Sequence, residues 1–259
     1  MRLTNSTPAS TRWRNNVQLK PVQQEAIRRA NLQRGFAFYM EQGLGKTATV
    51  LSEFQLAVNE GLVTRLVVVC PNSFKEGWRA EAQEHGFDFE FFLWNGDEWP
   101  IRQALRKGFS RPPVLVINYE AIRYEDAKRR TPGRGMKMIR EFIGDKPAYI
   151  AFDESIQLKT HDSNQTKASI DFSRDFAIRR ILSGKPQTQG PHDLWGQMRA
   201  IGQLDGFNYF AWKNTFCRMG GWQMKQVMGA QNQTYLEQTI QPFVFRATKK
   251  EWTDLGEKL

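Results

Sequence analysis

Short apolar runs alternate with longer amphipathic stretches along most of the chain. The apolar runs have the length and composition of buried strands. Six strands are predicted, at 36–40, 66–70, 89–93, 114–118, 149–152 and 180–183. Helical patterns occupy 21–33, 47–59, 74–84, 98–107, 163–172 and 192–204. This alternation predicts an α/β fold, with a parallel sheet covered by helices on both faces.

The pattern divides the chain into three predicted parts. Residues 1–17 are polar and are expected to form a flexible arm, and 18–205 hold the α/β domain. The pattern loosens in 206–259, which is predicted to be a small helical or irregular appendage with a closing segment. Its aromatic residues favour packing of that appendage, with base stacking as the alternative; they are Phe207, Tyr209, Phe210, Trp212 and Phe216.

The chain carries 37 Lys and Arg residues against 27 Asp and Glu residues, a net charge of +10. This balance suits a polyanionic partner, either nucleic acid or an anionic membrane, although solubility alone explains it equally well. Two interpretations of the basic segment 129–135 likewise stay open, a solvated loop and a nucleic-acid contact.

The two cysteines suggest neither a disulfide framework nor a zinc cluster, which indicates a reducing compartment. No apolar run approaches the ~18 residues of a membrane-spanning helix, and no signal-peptide pattern is present. The chain is therefore expected to be cytoplasmic, or nuclear in a eukaryote, and not secreted.

A glycine-rich segment at 40–47 lies between a predicted strand and a predicted helix. This arrangement cradles nucleotide phosphates, because glycines allow backbone N–H groups to converge on an anion and the helix adds its positive end. The lysine would reach the outer phosphates, and the threonine hydroxyl would hold Mg²⁺. The strict pattern has a glycine where this chain has Met40. The predicted cofactor-binding residues in this segment are Gly43, Leu44, Gly45, Lys46 and Thr47.

Two adjacent carboxylates, Asp153 and Glu154, follow another predicted strand. Hydrolysis of ATP requires Mg²⁺ and a positioned water molecule. Asp153 would hold the metal ion and Glu154 would orient or deprotonate the water, whereas an isolated Asp-Glu pair usually caps a helix. Their position about a hundred residues after a phosphate-binding segment favours catalysis, together with Lys46.

Together these motifs resemble the first motor lobe of Snf2-type helicases, in helicase superfamily two. The resemblance runs from about residue 19 to 258 and rests on motifs in the family's order, at 19–23, 40–47, 67–73, 114–120, 153–160, 182–195 and 241–258. It implies a RecA-like lobe that binds ATP and Mg²⁺, moves on double-stranded DNA and works with a second RecA-like lobe. The Gly-Gly-Trp stretch and Pro191 resemble the annealing-helicase-like and phage-encoded branches.

The resemblance also assigns roles to individual residues. Gln23 would read the adenine edge, although a surface glutamine of a helix is the alternative. Gly184 would belong to the motif that couples the ATP site to DNA. The residues expected to face DNA are Asn72, Ser73, Lys75, Asn118 and Lys159.

Two positions depart from the family's pattern. Ile156 stands where a histidine is usual, and Lys185 replaces a threonine of the coupling motif. Isoleucine cannot hydrogen-bond and lysine cannot accept a hydrogen bond, so near-normal Mg²⁺-ATP binding with weakened or uncoupled hydrolysis is expected. A degenerate nucleotide- or DNA-binding module without motor activity is the main alternative. An RNA helicase or restriction-type lobe is disfavoured by the Leu-Lys pair after the carboxylates and by the closing segment.

Overall fold

The computed structural model describes residues 17–224 and 226–253, so the predicted arm lies outside the described residues except for Val17. The helices are α1 (Pro21–Ala30), α2 (Lys46–Asn59), α3 (Lys75–Glu84), α4 (Trp99–Lys107), α5 (Arg134–Ile143), α6 (Asn164–Phe172), α7 (Asp193–Ala200), α8 (Tyr209–Phe216), α9 (Gln233–Ile240) and α10 (Lys249–Thr253). The strands are β1 (Gly35–Met40), β2 (Arg65–Cys70), β3 (Glu90–Leu93), β4 (Pro113–Asn118), β5 (Tyr124–Asp126), β6 (Thr131–Pro132), β7 (Ala148–Phe152), β8 (Ile178–Leu182), β9 (Cys217–Gly220), β10 (Gln226–Ala230) and β11 (Val244–Ala247).

Within the described part of the chain, seven strands form one sheet in the order β11-β1-β8-β7-β2-β4-β3. Neighbouring strands in this sheet run parallel. Each of the six predicted strands overlaps a strand of this sheet, and the α/β prediction is confirmed. Strands β1, β7 and β8 are buried along their whole length, as expected for parallel strands covered on both faces.

The alternation of side chains along the strands sorts the core into two layers. In β1, Ala37 and Tyr39 pack in one apolar cluster, whereas Phe36, Phe38 and Met40 pack in another. Successive side chains of a strand point to opposite faces of its sheet, so the two clusters are the two covered faces. No helix in the described ranges has the length and apolar character needed to span a membrane.

The basic segment 129–135 contains regular secondary structure, which the sequence analysis did not predict there. Strands β5 and β6 form an antiparallel hairpin, and α5 begins at Arg134. Arg129 and Arg130 form ion pairs with Asp126 and Asp171. The turn residues concealed the start of α5, whose apolar residues follow immediately and are buried in the core.

The last part of the chain does not all lie outside the α/β domain. Strand β11 pairs in parallel with β1, so the closing segment contributes to the main sheet. Trp212 and Phe216 are buried in the core, which confirms packing for these two rings, whereas Phe210 is 69% exposed. The boundary at residue 205 stays a prediction.

A charged pair is fully enclosed beneath the sheet. Arg180 of β8 donates two hydrogen bonds to Glu53 of α2, at 2.5 and 2.8 Å, and both side chains are 0% exposed. The hydroxyl of Tyr149 donates to the same carboxylate at 2.6 Å. A buried arginine is tolerated here because its charge is compensated and its donors have acceptors.

Candidate nucleotide site

Three loops meet at the carboxyl edge of the sheet because their strands are neighbours. The glycine-rich segment follows β1, Gly184 follows β8 and Asp153 follows β7, and these strands stand side by side. A side-chain carbon on Gly184 would lie 3.5 Å from the backbone N of Gln42 and 3.8 Å from Nζ of Lys46. The structure therefore brings the coupling motif against the phosphate-binding segment, at the edge where such sheets bind ligands.

Two glycines give the segment its shape. Gly43 and Gly45 have φ values of 88° and 78°, in the left-handed region that disfavours other residues. A side-chain carbon on Gly45 would lie 2.1 Å from Nε2 of Gln23, so this approach also requires glycine. Gly45 precedes α2 and provides no side-chain cap, so the positive end of that helix faces the loop, although Oε1 of Glu81 accepts from the backbone N of Ala48 in the first turn at 3.2 Å.

The remaining residues of the segment line the same loop. Leu44 is buried and anchors it in the apolar core, while Lys46 and Thr47 are half-buried at the start of α2. Nζ of Lys46 donates to the carbonyl oxygen of Met40 at 3.2 Å, so the lysine folds back across the loop. Its charge is thereby held where the phosphates of a nucleotide would lie.

Gln23 is buried against this loop and is not a surface residue. It is 4% exposed, and its Nε2 donates to the carbonyl oxygen of Gly45 at 3.2 Å. Its Oε1 accepts from the backbone N of Lys20 at 2.7 Å. These bonds fix the amide beside the phosphate-binding segment. The role in reading adenine stays a prediction.

Asp153 is a buried carboxylate with ordered partners. Its side chain accepts hydrogen bonds from Nε1 of Trp78 at 3.0 Å and from the backbone N of Glu154 at 2.9 Å, and the residue is 8% exposed. Burial raises the pKa of Asp153 to about 6; the charge of Glu154 also raises it, while Trp78 and Lys46 lower it.

Glu154 has a left-handed backbone, with φ 50° and ψ 53°, and precedes a short 3-10 helix without capping it through its side chain. Asp153 likewise accepts from Glu154 and not from the first turn of an α-helix. The capping alternative for this pair therefore does not hold. Strained backbone of this kind is frequent where a side chain must be aimed.

The site fits a nucleotide that brings its own magnesium ion. The described residues contain no group of three or more His, Cys, Asp or Glu side chains able to hold a metal. Mg²⁺ usually takes one or two carboxylates and completes its shell with phosphates and water. Thr47 and Asp153 would hold it here, and it would supply charge neutralisation at the phosphoryl group.

The structure reveals a buried link that the sequence did not indicate. Oε1 of Gln197, in α7, accepts from Oγ of Ser155 at 2.8 Å, and Nε2 donates to the carbonyl oxygen of Pro186 at 2.7 Å. Gln197 is 0% exposed. This side chain connects the carboxylate motif to the coupling loop, whereas Ile156 and Lys185 were expected to leave such a link missing.

Neither substituted residue makes that connection itself. Ile156 is half-buried, and Lys185 is exposed with its backbone N donating to Oγ of Ser183 at 3.2 Å. The one available signal for Gln197 was a polar residue between apolar ones in a helix, which does not reveal its partners.

Three of the five residues expected to face DNA line one open cavity of about 540 Å³: Asn72, Lys75 and Asn118. The ammonium of Lys75 donates to the carbonyl oxygen of Trp94, and Nδ2 of Asn118 donates to Glu120 at 2.6 Å. Ser73 is exposed beside Asn72, whereas Lys159 does not line this cavity.

The fold defines an α/β domain of the RecA-like type, with a glycine-rich loop at the carboxyl edge of its sheet. A family model for the SNF2-related domain matches residues 18–258, and the chain belongs to this family.

The chain resembles two solved structures of the Sulfolobus solfataricus SWI2/SNF2 ATPase core. One, in complex with dsDNA, has a TM-score of 0.63 and 22% identity over 91% of this chain and 46% of that chain. The other has a TM-score of 0.65 and 21% identity over 96% and 47%. These likenesses establish the fold.

Curated relatives agree with the family. A probable global transactivator of Orgyia pseudotsugata multicapsid polyhedrosis virus is 25% identical over 56% of this chain and 26% of its own length. A Caenorhabditis elegans homolog of the SWI/SNF-related matrix-associated actin-dependent regulator of chromatin subfamily A-like protein 1 is 24% identical over 68% and 23%. The chain therefore spans about a quarter of the length of these relatives.

The raised pKa of Asp153 predicts a pH-dependent cost of folding. Above pH 6 the folded protein holds an ionised, buried carboxylate, whereas in the unfolded chain this group ionises near its ordinary pKa of 3.8. Stability is therefore lost as pH rises through about 6. Asp153→Asn removes this charge but also replaces one of the two acceptor oxygens by a donor, which costs stability equally at every pH. Relative to the unaltered protein, its stability should therefore rise by roughly 2–3 kcal/mol between about pH 4 and neutral pH.

Urea unfolding across this pH range, without nucleotide or magnesium, measures the difference. Asp145→Asn is the control, because the Asp145 side chain is 86% exposed. A gain from Asp153→Asn that does not vary with pH would contradict the prediction.

The Gln197 link predicts energetic coupling with Ser155. Gln197→Leu leaves a buried hydroxyl without its acceptor, and should cost about 1–3 kcal/mol of stability. Ser155→Ala removes that hydroxyl, so the double variant should cost less than the sum of the single ones, by roughly 0.5 kcal/mol or more. Denaturant unfolding of the four proteins gives the coupling. The control cycle pairs Gln197→Leu with Ser173→Ala, whose hydroxyl donates to Ile170; equal coupling in both cycles would refute the link.

Proposed function

We propose that this chain is the ATP-binding N-terminal motor lobe of an SNF2-type DNA translocase. In this proposal, Lys46 and Thr47 bind Mg²⁺-ATP with the loop amides, Asp153 holds the magnesium ion, and Glu154 positions the attacking water. The carrying observation is the meeting of the loops after β1, β7 and β8 at one edge of the sheet. Family membership supports ATPase chemistry in general.

A second RecA-like lobe is part of the proposal. The chain covers 46% and 47% of the two solved ATPase cores, so the likeness extends over just under half of each. Arginines supplied across an interface stabilise the transition state of phosphoryl transfer by a large factor, on the order of 10³ or more in rate. We therefore expect weak or absent hydrolysis by this lobe alone, and movement on DNA only together with a second lobe.

The proposed DNA surface is the cavity lined by Asn72, Lys75 and Asn118, extended by Ser73 and Lys159. One of the solved cores is in complex with dsDNA, and the net charge of +10 suits a phosphate backbone. Glu120 also lines this cavity and accepts a hydrogen bond from Asn118, so its negative charge opposes phosphate at that point. The site of action would be the cytoplasm of a prokaryotic or virus-infected cell, or a nucleus.

A non-motor module that binds nucleotide or DNA is the second candidate. Ile156 and Lys185 favour it, because neither side chain supplies the polar contact of the family's pattern. Gln197 favours the motor, since it connects the two motifs by another route. ATP hydrolysis stimulated by duplex DNA, once a second lobe is supplied, separates the two candidates.

Removal of the Lys46 ammonium should abolish nucleotide binding. Calorimetric titration with Mg²⁺-ATP should give a saturable signal for the unaltered chain, and Lys46→Ala should weaken it by more than about tenfold, because the phosphates lose their charge partner. Lys146→Ala is the control at a lysine whose side chain is 52% exposed. Absence of binding by folded, unaltered protein would overturn the nucleotide assignment.

DNA binding should depend on salt and on Lys75. Affinity for a random duplex should fall steeply between low and physiological salt, and Lys75→Gln should reduce the slope of log affinity against log salt by about 1. Lys107→Gln, at the exposed end of α4, should leave the slope unchanged. Fluorescence anisotropy with duplex DNA and with duplex RNA measures the affinity and its dependence on salt. Tighter binding to RNA would favour an RNA helicase lobe, and a salt-independent affinity would rule out the proposed surface.

A further inference from the structure

An arginine-rich cavity lies at the amino end of the sheet, opposite the nucleotide site. Its volume is about 230 Å³, and it opens where β1 and β8 begin, beside Gly35. Four arginines and one aspartate supply its charged lining: Arg34, Arg174, Arg179, Arg199 and Asp205. We call it the arginine pocket. The candidate nucleotide site uses the other ends of the same strands and shares none of these residues.

Arg179 is buried without a direct ion pair among the described residues. It is 4% exposed, and its guanidinium donates to the carbonyl oxygens of Phe176 and Arg174 at 3.4 Å each. Among the described residues, no carboxylate lies within 4.0 Å of it, whereas the next residue, Arg180, is fully paired with Glu53. Asp205 is engaged with Arg199 at 2.5 Å.

The positive charge persists at neutral pH. Burial and the charges of Arg34 and Arg174 together lower the pKa of Arg179 to about 10, while the charges of Asp205 and Asp175 oppose this shift. The group stays protonated below that value. A buried cation without an ion-pair partner is destabilising, so a site of this kind gains from an anion.

The backbone around the pocket is built closely. Gly202 has a φ of 78°, and a side-chain carbon there would lie 2.5 Å from Nη1 of Arg179. A side-chain carbon on Gly35 would lie 2.0 Å from the carbonyl oxygen of Ile201, so the loop after α7 is pressed against the start of β1. These contacts hold the guanidinium of Arg179 at the pocket wall.

We propose that the arginine pocket binds a phosphate group, either free phosphate or the phosphate of a small monoester. Four arginines line one small cavity, and the paired N–H donors of a planar guanidinium match the oxygens of phosphate. Arg174 already lies 3.9 Å from Asp171, so the two charges of a phosphate dianion would match Arg179 and Arg34. The volume lies below the roughly 300–1,000 Å³ of sites for larger ligands, which favours a small anion over a whole nucleotide.

The test uses the Lys46→Ala chain as background, so that the phosphate-binding segment does not contribute. Equilibrium dialysis with labelled inorganic phosphate, at fixed ionic strength, should show saturable binding of one phosphate per chain. Arg174→Gln and Arg179→Met should each weaken binding by about tenfold or more. Arg106→Gln, an exposed arginine of α4, is the matched control and should bind like the background.

Thermal unfolding gives a second readout that a loss of fold cannot mimic. Phosphate should raise the melting temperature of the background chain, and this shift should vanish in Arg179→Met. Without phosphate, Arg179→Met should be at least as stable as the background, because it removes a buried charge that has no ion pair and keeps an apolar stem. Sulfate and chloride at equal ionic strength separate binding from general salt effects.

Competition by a small phosphate monoester identifies the source of the group: displacement of labelled phosphate supports a monoester site, and its failure restricts the pocket to free phosphate. The proposal is overturned if the background binds no phosphate saturably, or if Arg174→Gln and Arg179→Met bind as well as Arg106→Gln. Either result leaves the nucleotide assignment intact, since Lys46 is absent throughout.

Discussion

The parallel pairing of β1, β8 and β7 is the constraint on which the candidate site depends. Each strand carries its chemical group on the loop that follows it, and the pairing of Ala37 with Ile181 and of Ile181 with Phe152 puts the three strand ends side by side. The lysine, the glycine of the coupling loop and the buried carboxylate come from distant parts of the sequence. Their proximity is a property of the sheet, and the two apolar layers that cover the sheet keep it in place.

This arrangement fixes the position of Asp153 but disfavours the negative charge of its side chain. Hydrogen bonds from Trp78 to its carboxylate and from Tyr119 to its carbonyl oxygen hold the residue in one position, yet the same burial disfavours its charge. A nucleotide-bound magnesium ion would reverse that balance, so the site in this form is better suited to the bound than to the free state. Gln197 has the complementary role, because it is neutral, fully enclosed and bonded at both ends and can transmit position without carrying charge.

Much of the fold and part of the site could be predicted from local pattern. Strand and helix alternation indicated the sheet, and the glycine-rich segment and the Asp-Glu pair each lie within a few residues. Helix α5 was missed because its apolar face directly follows turn residues. The roles of Gln197 and Arg179 could not be predicted from local pattern, because they depend on which residues surround each side chain in the folded protein. Arg179 and Arg180 are adjacent and chemically identical, and the pleat of β8 alone decides that one meets Glu53 and the other a cavity.

The position of β11 has a consequence for how the molecule is made. Val244 pairs with Ala37, two positions separated by 207 residues (244 minus 37), and Ala247 accepts a hydrogen bond from the backbone of Glu41 at the start of the phosphate-binding segment. Until β11 has been synthesised, β1 therefore lacks its neighbour on one edge. Such long-range closure is slow in folding. The edge that carries the candidate site would therefore be completed only after residues 244–247 have been synthesised, long after the glycine-rich segment at 40–47.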